Sequence, residues 1–324
     1  MLELPAIDDV RAARAIVDRY LPRAPLERSP LLSSELGGDV YLKLESFKPT
    51  RAFKARGALV KTASLDAEAR RRGVVAASAG SHAQGVAFAA HTLGTSAIVV
   101  MPRGVSPTIV GVCRAYGAEV LLEGDVFDDA EVLAHRIERD QGRTFIHPYA
   151  DRLIVAGQGT IGLELLEELP DLDQVVVAVG GGGLSAGIAL AVKSERPRVR
   201  VIGVEPAGSD EVGRSVRAGT PVVLEKPASI ADKLVARTTM PMSIALGRRY
   251  IDEYVTVSEA ALEAATYELL ERLSLLIEPS GAAPLAAVRE GKVDVRGRKT
   301  VLIASGGNIA PAVLARILRA RVQA

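Results

Sequence analysis

The sequence has no tryptophan, a single cysteine and almost no net charge, and each shortage removes a class of protein. One thiol, Cys113, can neither close an internal disulfide nor build a cysteine-based zinc site. It falls in a helical-looking segment, Thr108–Tyr116, and is expected to be buried and inert rather than a nucleophile. The 40 basic and 39 acidic residues are spread evenly, so no basic face offers itself to nucleic acid. No apolar run approaches the about 18 residues a membrane span needs. Met1–Arg14 mixes Glu3, Asp8 and Asp9 with arginines and lacks the apolar centre of a secretion signal. Together these absences predict a cytoplasmic globular protein. Aromatics are 4% of the chain, so the 48% that is hydrophobic must build its core from Val, Leu, Ile and Ala.

What is present alternates. Val40–Glu45, Val74–Ser78, Ala97–Met101, Glu119–Leu122, Gln174–Val179, Val199–Glu205 and Thr300–Ala304 read as short apolar strands. Between them Arg51–Ser64, Ser81–Leu93, Pro107–Tyr116, Asp125–Asp140, Ile154–Leu169, Leu184–Val192, Ser258–Leu276 and Ile309–Ala320 read as helices. All-apolar strands separated by helices predict parallel strands buried on both faces, an α/β architecture. The 324 residues suit two lobes of about 100–200 residues each. No clear linker divides them, so the lobes are expected to interleave: 1–49 and 151–324 as a large cofactor-binding lobe, 50–150 as a small substrate-loop lobe. Pro206–Tyr250 is rich in Gly, Pro and Ser, lacks a clear period, and is expected to be functional or to hide short elements.

The sharpest local motif is Val175–Gly187, V-V-V-A-V-G-G-G-G-L-S-A-G. A buried strand runs into Gly180, Gly181, Gly182 and Gly183, then into a helix at Leu184. Glycines let the backbone approach an anion, and the helix start offers unpaired N–H groups and a positive dipole end. The loop therefore predicts a bound phosphate. Gly181, Gly183 and Ala186 also fit G-x-G-x-x-G/A, and Glu205 ends the next strand where a ribose-binding carboxylate would sit. On this motif alone a dinucleotide and another phosphate remain open.

Three further motifs decide between them. L-E-S-F-K-P-T-R-A-F-K-A-R-G (Leu44–Gly57) carries Phe53 and Lys54; S-A-G-S-H-A-Q-G (Ser78–Gly85) is a small-residue loop entering a helix; Ser305-Gly306-Gly307-Asn308 follows the strand Thr300–Ala304. Each follows a strand and opens a helix, so all four can meet at the C-terminal edges of sheets, where α/β ligands bind.

This set, with His147–Gly162 and Glu278–Ala282, resembles the fold-type II pyridoxal-phosphate (PLP) enzymes, in particular the threonine/serine dehydratase and serine racemase group, from about Arg28 to Ala320. The resemblance implies a tryptophan synthase β-like fold with two interleaved lobes and mostly parallel sheets. It implies a Schiff base between the cofactor and Lys54, which then acts as the general base at the substrate Cα. Phe53 would pack on the cofactor ring, Ser81 would lie near its ring oxygen, Ser305 and Gly306 would meet its ring, and Gly180–Gly183 with Leu184 would hold its phosphate. Ser305, a hydroxyl rather than a carboxylate, would leave the ring nitrogen neutral, which suits elimination. Backbone N–H groups of Ser78, Ala79, Gly80, Ser81 and His82 would bind the substrate carboxylate, His82 itself having a loop-fixing role. Glu205, Ser209 and Glu211 stand where the group binds a divalent cation; oxygen ligands of this kind suit Mg²⁺, and solvated glutamates are the alternative. A homodimer is also implied. The chain ends near Ala324, so no regulatory domain and no isoleucine feedback are expected.

Three departures bear on substrate. Ser81 replaces the group's Asn, so a contact to the ring oxygen is either water-mediated or lost. Ala79 replaces the second acid/base serine of serine racemases and cannot move a proton. Lys233 replaces Gly near the substrate pocket and points either to solvent or to a polar substrate side chain. The reading is a PLP-dependent ammonia-lyase acting on a β-hydroxy amino acid like threonine, serine or 3-hydroxyaspartate. A PLP β-replacement synthase, a racemase, a turnover-free PLP-binding sensor and an NAD(P)-dependent oxidoreductase are the alternatives.

Overall fold

The computed structural model describes residues 3–322. Met1, Leu2, Gln323 and Ala324, which the expected large lobe includes, lie outside them. The chain opens with α1 (Ile7–Tyr20), β1 (Leu26–Arg28), α2 (Pro30–Leu36), β2 (Asp39–Leu44), α3 (Ala55–Ala63) and α4 (Ala67–Arg72). Next come β3 (Val74–Ala77), α5 (Ser81–Leu93), β4 (Ala97–Met101), α6 (Pro107–Ala115), β5 (Glu119–Leu122), α7 (Phe127–Gln141) and β6 (Thr144–Phe145). Then follow α8 (Arg152–Glu168), β7 (Gln174–Ala178), α9 (Gly183–Glu195), β8 (Arg200–Pro206), α10 (Glu211–Ala218) and α11 (Pro241–Tyr250). The last are β9 (Glu253–Val257), α12 (Glu259–Leu273), α13 (Pro279–Arg289), β10 (Lys299–Ala304) and α14 (Pro311–Val322).

Two sheets form. One is six-stranded in the order β1-β2-β10-β7-β8-β9, the other four-stranded in the order β5-β4-β3-β6. Every pairing is parallel except β1 with β2. Every residue of β3, β4 and β7 is buried, as strands covered on both faces require. The mostly parallel α/β reading therefore holds, and the four-stranded sheet is drawn from a continuous insertion between strands of the six-stranded one.

Helix α8 crosses α3 and α9 at small residues. A Cβ on Gly57 would stand 2.8 Å from the Ile154 carbonyl, and one on Gly157 only 2.6 Å from Gly57 Cα. The A-G-Q-G-T-I-G stretch of α8 thus lets three helices approach closely.

Three of the differences between the sequence reading and the structure bear on element boundaries and on the aperiodic stretch. Helix α3 starts at Ala55, not Arg51, because Arg51 adopts a left-handed φ of 56° and the chain turns before the helix begins. The long helix stops at Leu273, not Leu276, because Ser274 takes a left-handed φ of 54° as its cap. Pro206–Tyr250 holds α10, a turn of 3₁₀ helix at Asp232–Leu234, and α11. Each is too short to impose a period on the sequence.

Candidate active site

The four motifs meet. Lys54 stands at the turn before α3, where its amine donates to the Pro148 carbonyl at 2.6 Å and lies 5.1 Å from the Phe53 ring centroid. No carboxylate pairs with it among the described residues, and burial alone pushes its pKa down to about 8. The next residue after Pro148 is Tyr149, which packs on the glycine loop. A Cβ on Gly181 would run into the Tyr149 ring, and one on Gly183 would stand 2.7 Å from the Tyr149 carbonyl. The amine and the glycine loop are therefore joined through two consecutive residues.

All four glycines are required sterically. A Cβ on Gly180 would meet the Lys233 carbonyl at 2.9 Å, and one on Gly182 would meet Ser243 Cβ at 2.8 Å. Gly182 also caps α9 with a φ of 94°. The Gly181 carbonyl is turned back into the protein, where it accepts from Ser243 Oγ at 2.6 Å and Thr239 Oγ1 at 3.1 Å. That leaves the N–H groups of Gly183, Leu184 and Ser185 at the helix start without intrahelical acceptors, a cradle for an anion.

The C-terminal motif reaches the same place. The Ser305 carbonyl accepts from the Phe53 N–H at 3.1 Å, and Ala52 bridges Gly306 in antiparallel fashion. Asn308 Nδ2 donates to the Thr50 carbonyl at 2.9 Å and to Ser81 Oγ at 3.1 Å. The Ser81 hydroxyl is thus engaged by Asn308. In the Ser78–His82 loop, Ser78 Oγ accepts from the Gly80 N–H at 3.1 Å, which leaves Ala79 exposed at the turn. His82 is buried and its Nε2 bonds the Ile146 carbonyl at 2.8 Å. Burial, then the nearby Lys54 charge, push its pKa down to about 3, so the ring is neutral and donates from Nε2.

Lys233 does not point to open solvent. Its amine pairs with Glu278 and donates to the Asn308 carbonyl at 2.8 Å. Its Cε lies 3.6 Å from where a Cβ on Gly80 would stand.

The expected cation ligands occupy a buried corner under α10. Glu205 accepts from the N–H groups of Val212 and Gly213 at 2.9 and 3.0 Å. Ser209 Oγ donates to Glu211 at 2.9 Å, while the other Glu211 oxygen has no partner. Burial, then the neighbouring Glu211, raise Glu205 to about 8; burial raises Glu211 to about 7. Among the described residues no group of three or more His, Cys, Asp and Glu is placed to hold a metal ion, so two carboxylates and a serine are the set here. Both Glu205 oxygens are taken up by the amides that open α10, which removes the support it lent to a dinucleotide. Cys113 is buried, and burial pushes its thiol up to about 12, as an inert thiol requires.

Several contributors escape sequence reading. The Pro148 carbonyl and Tyr149 sit inside a recognised signature, but only the fold aims them at Lys54 and the glycines. Ser243 and Thr239 come from the aperiodic stretch and carry no signal. Glu278 and Asn308 belong to quoted motifs, yet their link through Lys233 spans segments far apart in sequence.

The chain matches the model of the family described as "Pyridoxal-phosphate dependent enzyme" over residues 17–313. It is 42% identical to the L-threonine ammonia-lyase of Thermotoga maritima, over 96% of this chain and 78% of the relative. The crystal structure of a T.th. threonine deaminase superimposes with a TM-score of 0.88 at 41% identity, covering 94% of this chain and 99% of that one. Maize serine racemase superimposes with a TM-score of 0.92 at 32% identity, covering 99% of each chain. The residues present fit a group with an aldehyde and a phosphate: an amine without a carboxylate partner beside a loop whose side-chain space is filled and whose amides are free.

Proposed function

The chain belongs to the pyridoxal-phosphate dependent enzymes, and on that footing we propose that it is an ammonia-lyase, removing water and ammonia from a β-hydroxy amino acid to give a 2-oxo acid. The observation that carries this reading is the partly depressed amine of Lys54, linked to the glycine loop through Pro148 and Tyr149.

Bound pyridoxal phosphate supplies a ring that draws electron density from the substrate α-carbon. Lys54 would hold the cofactor aldehyde, and its free Nζ would take the substrate Cα proton. A pKa of about 8 leaves a usable neutral fraction at neutral pH. Amides of Gly183, Leu184 and Ser185 would hold the phosphate at the positive end of α9. Phe53 would pack against the ring and Ser305 would meet its nitrogen with an uncharged hydroxyl. The N–H groups of Ser78–His82 receive the substrate carboxylate at the start of α5. Loss of the β-hydroxyl as water leaves an enamine that hydrolyses to the 2-oxo acid and ammonia. Ala79 has no group to return a proton from the second face, which favours elimination over racemisation.

Glu205, Ser209 and Glu211 are read as a site for a divalent cation of the Mg²⁺ type. Residues 50–150 are read as the substrate-loop lobe, supported by the membership of the four-stranded sheet. A cytoplasmic homodimer is the expected assembly, and sedimentation checks it. The principal test records the visible spectrum before and after borohydride, then ammonia and 2-oxo acid release from L-threonine, L-serine and 3-hydroxyaspartate. Attachment mapped to Lys54 together with release of both products supports the reading. A cofactor bound elsewhere, or one bound without any product, overturns it.

A further inference from the structure

Lys233 spans the cleft. Its backbone carbonyl presses on Gly180 of the glycine loop, and its Cε passes beside Gly80 of the carboxylate-binding loop. Its amine ends between Glu278 and the carbonyl of Asn308. An ammonium carries three N–H donors. Two are engaged here, so one remains for an incoming acceptor.

The neighbours make this amine a fixed feature. Glu278 is buried, its other carboxylate oxygen lying 2.5 Å from where a Cβ on Gly306 would stand. Asn308 is itself tied to Thr50 and Ser81. Glu278 and Asn308 thus hold the amine in place. A donor already immobilised costs little further ordering when a ligand arrives. Lys233, Glu278 and Asn308, with Ser229 and Ile230, also line a cavity of about 370 Å³. The amine therefore stands between Gly80 of the carboxylate loop and this cavity, which Asp232 and Arg316 also line.

The α-carboxylate of a substrate has its own donors in the backbone of Ser78–His82. The methyl group of threonine has no use for an ammonium. We propose that Lys233 is a specificity-determining residue that receives a second carboxylate, carried on the substrate β-carbon, so that the preferred substrate class is β-hydroxy amino acids with an anionic side chain. This rests on the lyase reading above.

The test uses the cofactor-loaded enzyme and two amino acids of equal chain length that cannot lose water, L-aspartate and L-2-aminobutyrate. Their dissociation constants are read from the change in visible absorption. The wild type is expected to bind L-aspartate more tightly. In Lys233→Met the preference should fall by about 10- to 100-fold, the range for a hydrogen bond to a charged group, and Lys233→Arg should retain most of it. The kcat/KM ratio of 3-hydroxyaspartate to L-serine should fall in parallel. Tighter wild-type binding of L-2-aminobutyrate overturns the inference without any variant having to fold. So does an equal loss for both ligands in Lys233→Met, which would place the amine on the α-carboxylate. If no amino acid yields a 2-oxo acid but the L-aspartate preference and its loss in Lys233→Met hold, the lyase reading fails and the role of Lys233 stands.

Discussion

Lys54 and Arg56 lie two residues apart at the start of α3, and their buried charges are treated in opposite ways. Arg56 is fully buried and its guanidinium meets carboxylates from both sides, Glu45 at 2.8 Å and Glu164 at 2.7 Å. Glu164 also pairs with buried Lys43 at 2.9 Å. Burial works against the Arg56 charge, but Glu45 and Glu164 outweigh it and raise its pKa. Burial likewise opposes the Glu164 charge, yet Arg56 and Lys43 hold that carboxyl down at about 2. Lys54 has only the Pro148 carbonyl, and burial lowers it to about 8. The difference teaches where chemistry is available. Compensated charge fixes the helix that presents the lysine; uncompensated charge leaves an amine that can lose its proton.

The sharpest way to separate the two is to remove each. Lys54→Ala is expected to cut kcat by about 10³-fold or more, the scale of a lost base and nucleophile. The melting temperature of the cofactor-free protein should hardly move, since no ion pair is broken. Retained turnover in Lys54→Ala would end its assignment.

Arg56→Met should do the reverse. It strands Glu45 and leaves Glu164 with Lys43 alone, and breaking a buried pair costs about 3–5 kcal/mol. Chemical denaturation should show that loss directly. A variant as stable as the wild type would mean that the network contributes nothing to the fold.

The same contrast explains what could be read in advance. The four glycines were legible as an anion-binding loop because such a loop needs small residues between a strand and a helix, and that requirement is local; Lys54 and Ser305–Asn308 were singled out only by the resemblance. The parallel sheets were legible because burial on both faces leaves Val-rich runs. The Arg56 cluster was not legible. Lys43 sits inside an otherwise apolar strand, and its partner Glu164 lies far along the chain on α8, so no local pattern joins them. Helix α13 was missed because Pro279, Gly281 and Pro284 are helix-breaking types; one proline takes the first turn and burial of nearly the whole helix compensates the other. Edge strand β9 was missed because its half-buried residues give no apolar run. Glu205 misled for a related reason: its place near the end of a strand was read correctly, but its two acceptor contacts come from the start of a helix hidden in the aperiodic stretch.

Buried neutral histidine lies between the two cases. The folded pKa of His82 is about 3, below the ordinary value of 6.5. The unfolded chain therefore binds a proton between about pH 3 and 6.5 that the folded chain refuses, so stability falls as pH drops through that window. At pH 5 the loss is about 2 kcal/mol. His82→Gln, which keeps a donor for the Ile146 carbonyl, should flatten the fall of melting temperature between pH 7 and 5. An unchanged slope would place the acid sensitivity elsewhere.

Glu205 and Glu211 are the acidic counterpart of Lys54, two buried carboxylates raised by burial, neither of them in an ion pair with a basic side chain among the described residues. A divalent ion would move this corner into the compensated class, because it pairs with both charges and gives the partnerless Glu211 oxygen a ligand to hold. Binding to the folded state alone would add about 1.4 kcal/mol at ten times Kd. Mg²⁺ or Ca²⁺ should therefore raise the melting temperature of the wild type by a small, saturable amount, and Glu211→Gln should abolish that rise. A response of equal size in both proteins would place the ion elsewhere. No response in either would leave the two carboxylates sharing protons rather than a metal.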